Sequence, residues 1–447
     1  MNDPSLKRTV TQTSAIFLVV TAIIGSGIFK KVAPMSAQLH SPTLVLICWT
    51  LAGALSLMGA LSNAELTSMM PGSGGEYVYF KKIYGRFFSF LYAWANLAVM
   101  KSATIAALAY IFADSFHELL PGISPFLGGQ YSVQVLASLL ILGLSYVNHR
   151  GISIGEKISR YLIAAIVLSI LTFVVLALTS GKGNIEHFTA ATPAVPTGWP
   201  LFAAMFAASL SAFWGYEGWN NIGFIGEEVK DPKRNIPIAL GVGTLIVITL
   251  YLLVNAVYLY ILPIEQLESL RANQIAAVEM ARVLSGNTGA ILLSLLILFA
   301  TFNCANGTIL LSARISYAMA RDGLFPKKVG QIHQIYETPS YAILIQAIWS
   351  VALVWSGSFD ALTDLLIFAS FIFYGSAAFG VILLRRREPD TPRPYRVAII
   401  LPTIFSAFCL VLVVVNIINQ PTQAAIGLLL IAAGGPVYLF YRRKTQS

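Results

Sequence analysis

The stretch MFAASLSAFWGYEGWNNIGFIGEE, Met205–Glu228, decides how this chain is read. It begins as an apolar run of the kind that crosses a bilayer, for which about 20 residues suffice. Gly215 and Gly218 then flank Tyr216 and Glu217, placing a carboxyl well inside the run. Glycine costs about 1 kcal/mol in a helix interior, so this turn is weak. A second run, AIFLVVTAIIGSGIFKKVAP (Ala15–Pro34), carries Gly25-Ser26-Gly27 in its middle. Either feature alone also fits close helix packing through small residues. Together they mark interrupted helices at matching positions, the first span and the sixth, if two five-span repeats follow each other. Such a pair is the best sequence pointer to a transport site.

Composition supports the membrane reading. The chain has 447 residues, 57% hydrophobic and 11% charged, with mean hydropathy +0.74. A soluble domain carries about 25% charged residues. Apolar runs at 13–32, 42–64, 87–114, 132–148, 160–180, 200–225, 238–262, 287–313, 340–356, 361–384, 398–416 and 423–441 predict twelve spans. Most Lys and Arg fall on one side of that map: Lys7, Arg8 and the groups at 81–86, 150–160, 230–234, 314–328, 385–396 and 442–444. Lys30, Lys31, Lys182, Arg271 and Arg282 fall on the other, and Lys101 lies within a span. The asymmetry places both termini in the cytoplasm. It also accounts for the net charge of +9 without nucleic acid. The opening MNDPSLKRTVTQ has no signal-peptide cleavage pattern, so the first span is expected to stay in the membrane. The outer stretch 263–286 reads as an amphipathic helix, with a surface cap favoured over a lid. Cys48, Cys304 and Cys409 lie in apolar runs without paired spacing, which argues against disulfides and metal sites.

A broken helix leaves N–H groups free at the start of its second half and carbonyls free at the end of its first. The N–H groups after Gly25 suit a carboxylate, and the carbonyls near Phe213 and Trp214 suit an ammonium. A zwitterion bridges the two without a charged side chain.

These residues carry a resemblance. IIGSGIF (Ile23–Phe29), NAELTSMMPGSGGEYVYF (Asn63–Phe80), AFWGYEGWNNIGFIGEEVKDPKRNIPIAL (Ala212–Leu240), RISYAMARDGLFP (Arg314–Pro326) and RPYRV (Arg393–Val397) are in the family's order. The chain resembles the amino acid–polyamine–organocation superfamily, and within it the L-type amino acid transporter-like permeases. The resemblance implies an all-α, leucine-transporter-like membrane fold, a five-plus-five inverted repeat with helices 1 and 6 broken. The repeats would be 1–180 and 200–384, with two peripheral helices at 398–441. It implies alternating access, usually by exchange. It places the substrate carboxylate on backbone groups of Ile24, Gly25, Ser26, Gly27 and Ile28. It places the ammonium on carbonyls of Phe213, Trp214 and Glu217, with Trp214 as the gate.

The chain departs from the pattern. Many members carry a lysine late in span 5; aligned from Asn148 and Gly151, that position is Ile166. Lys157 lies about 13 Å earlier along a helix, a poor substitute. Glu217 stands where aspartate or a small residue is common. The loop 115–131 has no cysteine, so no disulfide-linked accessory subunit is expected there.

Each residue has a plainer reading. Ser26 is a packing residue or a substrate contact, and the resemblance favours contact. Tyr216 and Trp219 are open between packing and function. Glu217 either carries proton coupling or holds the unwound segment in shape. Lys101 is expected to face the bundle interior and pair with a backbone carbonyl or Asp114; a coupling role is a second possibility. Asn303 and Asn306 read as interhelical glue before substrate contacts. Glu227-Glu228 with Lys233-Arg234, and Arg321-Asp322, are solvated loop charges or an inner gate. His40, His117, His149, His187 and His333 show no ligand spacing, and paired carboxylates and nucleophile elbows are missing. No metal or cofactor is expected. An enzyme or a channel fits poorly; a broken-helix site suits occlusion better than conduction. Exchange of neutral amino acids is favoured, with proton symport or a polyamine or cationic substrate as alternatives.

Overall fold

The computed structural model describes residues 8–72, 74–150, 155–190, 192, 194–271 and 274–446; the side chains of 121, 155–160 and 444–446 are not described. Lys7 and Gly151, and the side chains of Lys157, Arg160 and Lys444, therefore lie outside it. The described residues are mostly helical, and the only strand-like feature among them is a parallel bridge between Val10 and Val229.

The first run is broken as its glycines predict. It forms α1 (Gln12–Ile23), α2 (Gly27–Lys30) and α3 (Val32–Leu39). α1 starts at Thr11, whose hydroxyl accepts the Ser14 amide at 3.3 Å, satisfying one orphan donor of the first turn. α4 (Pro42–Met69) starts on a proline, which costs nothing at a position with no amide partner. Next come α5 (Glu76–Tyr84) and α6 (Arg86–Ala95), the latter joined by a π turn (Asn96–Met100) to α7 (Lys101–Leu119). α8 (Ser132–His149) and α9 (Gly155–Thr179) precede the second broken run. There α10 (Trp199–Tyr216) stops at Glu217, and a 3-10 segment follows at Trp219–Phe224. α11 (Pro232–Ile261), α12 (Ile264–Glu268) and α13 (Ala276–Arg321) come next. α13 is kinked at Ser285 and Gly286, which leave helical geometry. α14 (Ser340–Val354), α15 (Phe359–Arg387), α16 (Ile400–Asn419), α17 (Pro421–Ala432) and α18 (Gly434–Gln446) complete the chain.

Nine helical stretches among the described residues are long and apolar enough to cross a membrane; α1 and α14 are shorter apolar helices. Burial orders them. The stretch Arg86–Leu119 has 89% of its apolar window inside the molecule, against 28% for Tyr161–Thr179. α7 is therefore a central helix, packed on α8, α13, α14 and α15. α1 packs on α11, and α10 on α4 and α3.

Three expectations change. The first run does not end at residue 32 but continues to Leu39. Lys30 and Lys31 are buried, not loop charges, because carboxylates on distant helices neutralise them. The outer stretch 263–286 is two short helical pieces rather than one amphipathic helix; Ile275, Val278 and Met280 are buried while Val283 is exposed.

Candidate functional site at the two helix breaks

The breaks meet because glycine lets them. A Cβ on Gly27 would lie 2.5 Å from the Gly215 Cα, and one on Gly218 would lie 2.2 Å from the Ala22 carbonyl oxygen. Gly218 also adopts φ +111°, which side chains other than glycine rarely tolerate.

At the first break, Ile24 caps α1 through its amide on the Val20 carbonyl at 2.9 Å. The Tyr251 hydroxyl donates to the Ile23 carbonyl at 3.0 Å, and the Cys304 thiol to that of Ala22 at 3.6 Å. Ser26 and Gly27 then open the next helical segment, where the first amides have no carbonyl one turn back. The Ser26 hydroxyl is buried without a hydrogen-bond partner among the described residues, and so is the Trp214 indole nitrogen. Buried polar groups are normally satisfied. Two such orphan groups flank the breaks.

At the second break, the Glu217 amide bonds the Trp214 carbonyl at 3.3 Å, not that of Phe213 one full turn back. The Phe213 ring points away, 4.5 Å from Phe371 between centroids. Trp214 stands edge-on to Phe359 at 6.1 Å. Above that ring sit the ammonium groups of Lys30 and Lys31, 4.8 and 4.7 Å from its centroid. Lys30 pairs with Asp114 at 3.0 Å and Lys31 with Asp360 at 2.7 Å. These rings and charges form one layer beside the second break. Tyr216 packs on Trp49 and Tyr251, and Trp219 on Tyr374.

Lys101 does not pair with a carbonyl or with Asp114, which belongs to Lys30. Its ammonium lies 2.9 Å from the Glu217 carboxylate, with the two side chains 1% and 5% exposed. The π turn immediately before Lys101 re-phases the helix there; such turns recur at functional sites. The same Glu217 oxygen accepts from the Tyr374 hydroxyl at 2.8 Å. Tyr374 also reaches Asn220 at 3.3 Å, and Asn220 donates to Glu76 at 2.8 Å. Tyr92 donates to the other Glu76 oxygen at 2.8 Å. Burial pushes the Glu76 carboxyl above the ordinary range, against these hydrogen bonds. Ile166 is buried in an apolar setting.

On the opposite side lies a second charged layer. Asp322 accepts from Lys81 and from Tyr77, each at 2.7 Å. Glu228 pairs with Arg314 at 2.8 Å, across helices rather than with its neighbours Lys233-Arg234. Glu65 is held by Arg385, by Arg393 at 3.3 Å and by the Val397 amide at 2.9 Å. Val10 exchanges two backbone bonds with the segment after the second break, to Glu228 at 3.0 Å and from Lys230 at 2.8 Å. Asn306 accepts from Asn148 at 2.7 Å, as interhelical glue would.

Sequence reasoning missed Tyr251, Phe359, Tyr374, Asn220 and Glu76 as parts of this constellation. Glu76 and Asn220 lie in segments that carry the family resemblance, and that was their only signal.

A multi-pass helical membrane protein with two broken helices meeting in its interior is the class this geometry defines. The chain belongs to the amino acid permease family, whose family model matches residues 10–440. Among its relatives, the b(0,+)-type amino acid transporter 1 of Homo sapiens is 30% identical over 441 residues, 98% of this chain and 88% of that protein. The serine/threonine exchanger SteT of Bacillus subtilis (strain 168) is 29% identical over 449 residues, 100% of this chain and 99% of that protein. The large neutral amino acids transporter small subunit 2 of Homo sapiens is 28% identical over 445 residues, 97% of this chain and 80% of that protein. The chain is a permease, not an enzyme.

Proposed function

We propose that this permease exchanges neutral L-amino acids across a cell membrane by alternating access. The observation that carries the reading is the pair of orphan donors, Ser26 Oγ and Trp214 Nε1, buried where two helix breaks meet. In this reading, amides from Ile24 to Ile28 hold the carboxylate. The carbonyls of Phe213, Trp214 and Glu217 hold the ammonium, and Trp214 with Phe359 closes over the substrate. The names of the relatives, an exchanger among them, support exchange.

The remaining proposals follow the same frame. The residues 1–180 and 200–384 form two inverted five-helix repeats, with 398–441 peripheral, giving twelve spans and both termini in the cytoplasm. Cys48, Cys304 and Cys409 are buried and free, which supports working without a disulfide-linked partner.

The test is uptake of labelled neutral L-amino acids into proteoliposomes, empty or preloaded, with and without proton and sodium gradients. Uptake only into preloaded vesicles, indifferent to gradients, is expected. Uptake into empty vesicles that requires a proton gradient would replace exchange with symport.

A further inference from the structure

We infer that Lys101 determines substrate charge: it is an internal countercharge that occupies Glu217 and so bars cationic side chains. The inference rests on the exchange reading above and names a residue that sets its specificity.

Glu217 is the residue on which α10 stops, at the end that would receive a substrate ammonium. A buried carboxylate there would attract a second cation, on a lysine or arginine side chain for instance. In this chain the place is taken. Lys101 Nζ lies 2.9 Å from Glu217 Oε1, and the Phe224 ring lies 5.7 Å from the same ammonium. Tyr374 covers the same oxygen at 2.8 Å. The next carboxyl, Glu76, is already bonded by Asn220 and Tyr92. The pair cancels to zero net charge at the break.

Breaking a buried pair from one side leaves an uncompensated charge, which is strongly unfavourable. Inside a binding site, a ligand of the right sign relieves it through a charge-assisted hydrogen bond. Loss of the Lys101 amine therefore opens the site to cations, and loss of the Glu217 charge opens it to anions. A purely structural pair would weaken transport of every substrate alike.

The experiment uses the full chain in proteoliposomes, with the neutral amino acid that the wild type exchanges fastest as label. L-Lysine and L-glutamate are the competitors, and ligand-induced thermal shift is a second readout. Neither competes well in the wild type. In Lys101→Met, half-inhibition by L-lysine falls at least 10-fold. In Glu217→Gln, half-inhibition by L-glutamate falls at least 10-fold. The double variant loses both gains. A variant that no longer exchanges the neutral label is read by thermal shift with the same two ligands. Should Lys101→Met fail to fold, the Glu217→Gln arm decides alone. An unchanged charge preference in a folded single variant, by both readouts, overturns the role of Lys101. A wild type that exchanges no amino acid overturns the exchange reading instead.

Discussion

Ser26 separates holding the fold from holding a ligand. Its hydroxyl has no partner among the described residues, so Ser26→Ala removes no intramolecular bond. Thermal stability is expected to stay the same or rise. The apparent KM for substrate is expected to rise by about 2- to 10-fold, the usual net worth of one hydrogen bond. Unchanged KM in exchange assays would remove Ser26 from the site. Gly27 is the opposite case. A methyl there meets the Gly215 backbone at 2.5 Å, and overpacking of this kind costs about 1–3 kcal/mol. Gly27→Ala should lower the melting temperature and abolish exchange; a variant with wild-type exchange would show that the breaks do not need to touch. Both residues were legible in the sequence, because glycine within an apolar run declares itself locally. The partner of Lys101 was not. Glu217 is 116 positions away, and only the packing of α7 against the broken helix brings them together.

At the scale of elements, ion pairs tie the first broken helix to its neighbours. The second half of the first broken helix is tied to α7 through Asp114 and to α15 through Asp360. Opening that side parts both pairs. Asp114→Asn and Asp360→Asn together should therefore favour the outward-open form, read as faster labelling of a cysteine placed at Trp214. Labelling at the wild-type rate would mean that the ion pairs are incidental to closure. The sequence assigned Lys30 and Lys31 to the outer-side charges at the end of the first run without seeing their burial, since a window along one run cannot see a carboxylate supplied by another. Hydropathy likewise carried the sixth run to residue 225, and only Gly215 and Gly218 marked the point near which the chain leaves the α-helix, at Glu217. The existence of the helices, their rough limits and the two breaks were readable; which charges each helix shares were not.

Across the whole molecule the two charged layers differ in wetness. The Lys30–Asp114 pair is 7% and 13% exposed, whereas the Lys81–Asp322 pair on the other side is 41% and 26% exposed. High salt weakens exposed ion pairs, the Debye length falling to about 3 Å at 1 M, and buried pairs much less. Raising salt should therefore loosen the Lys81–Asp322 side more than the side held by the buried Lys30–Asp114 pair. Accessibility of cysteines introduced on each side, measured between low and high salt, is expected to rise more on the Asp322 side; an equal rise on both would show that the layers are equally hydrated.

The three buried cysteines make such measurements simple. With Cys48, Cys304 and Cys409 all buried between helices, the natural chain is expected to react little with a membrane-impermeant maleimide. A single engineered thiol then reports on its own surroundings without first stripping the protein of its native sulfur, and the motions of the carrier can be watched in an otherwise unaltered molecule.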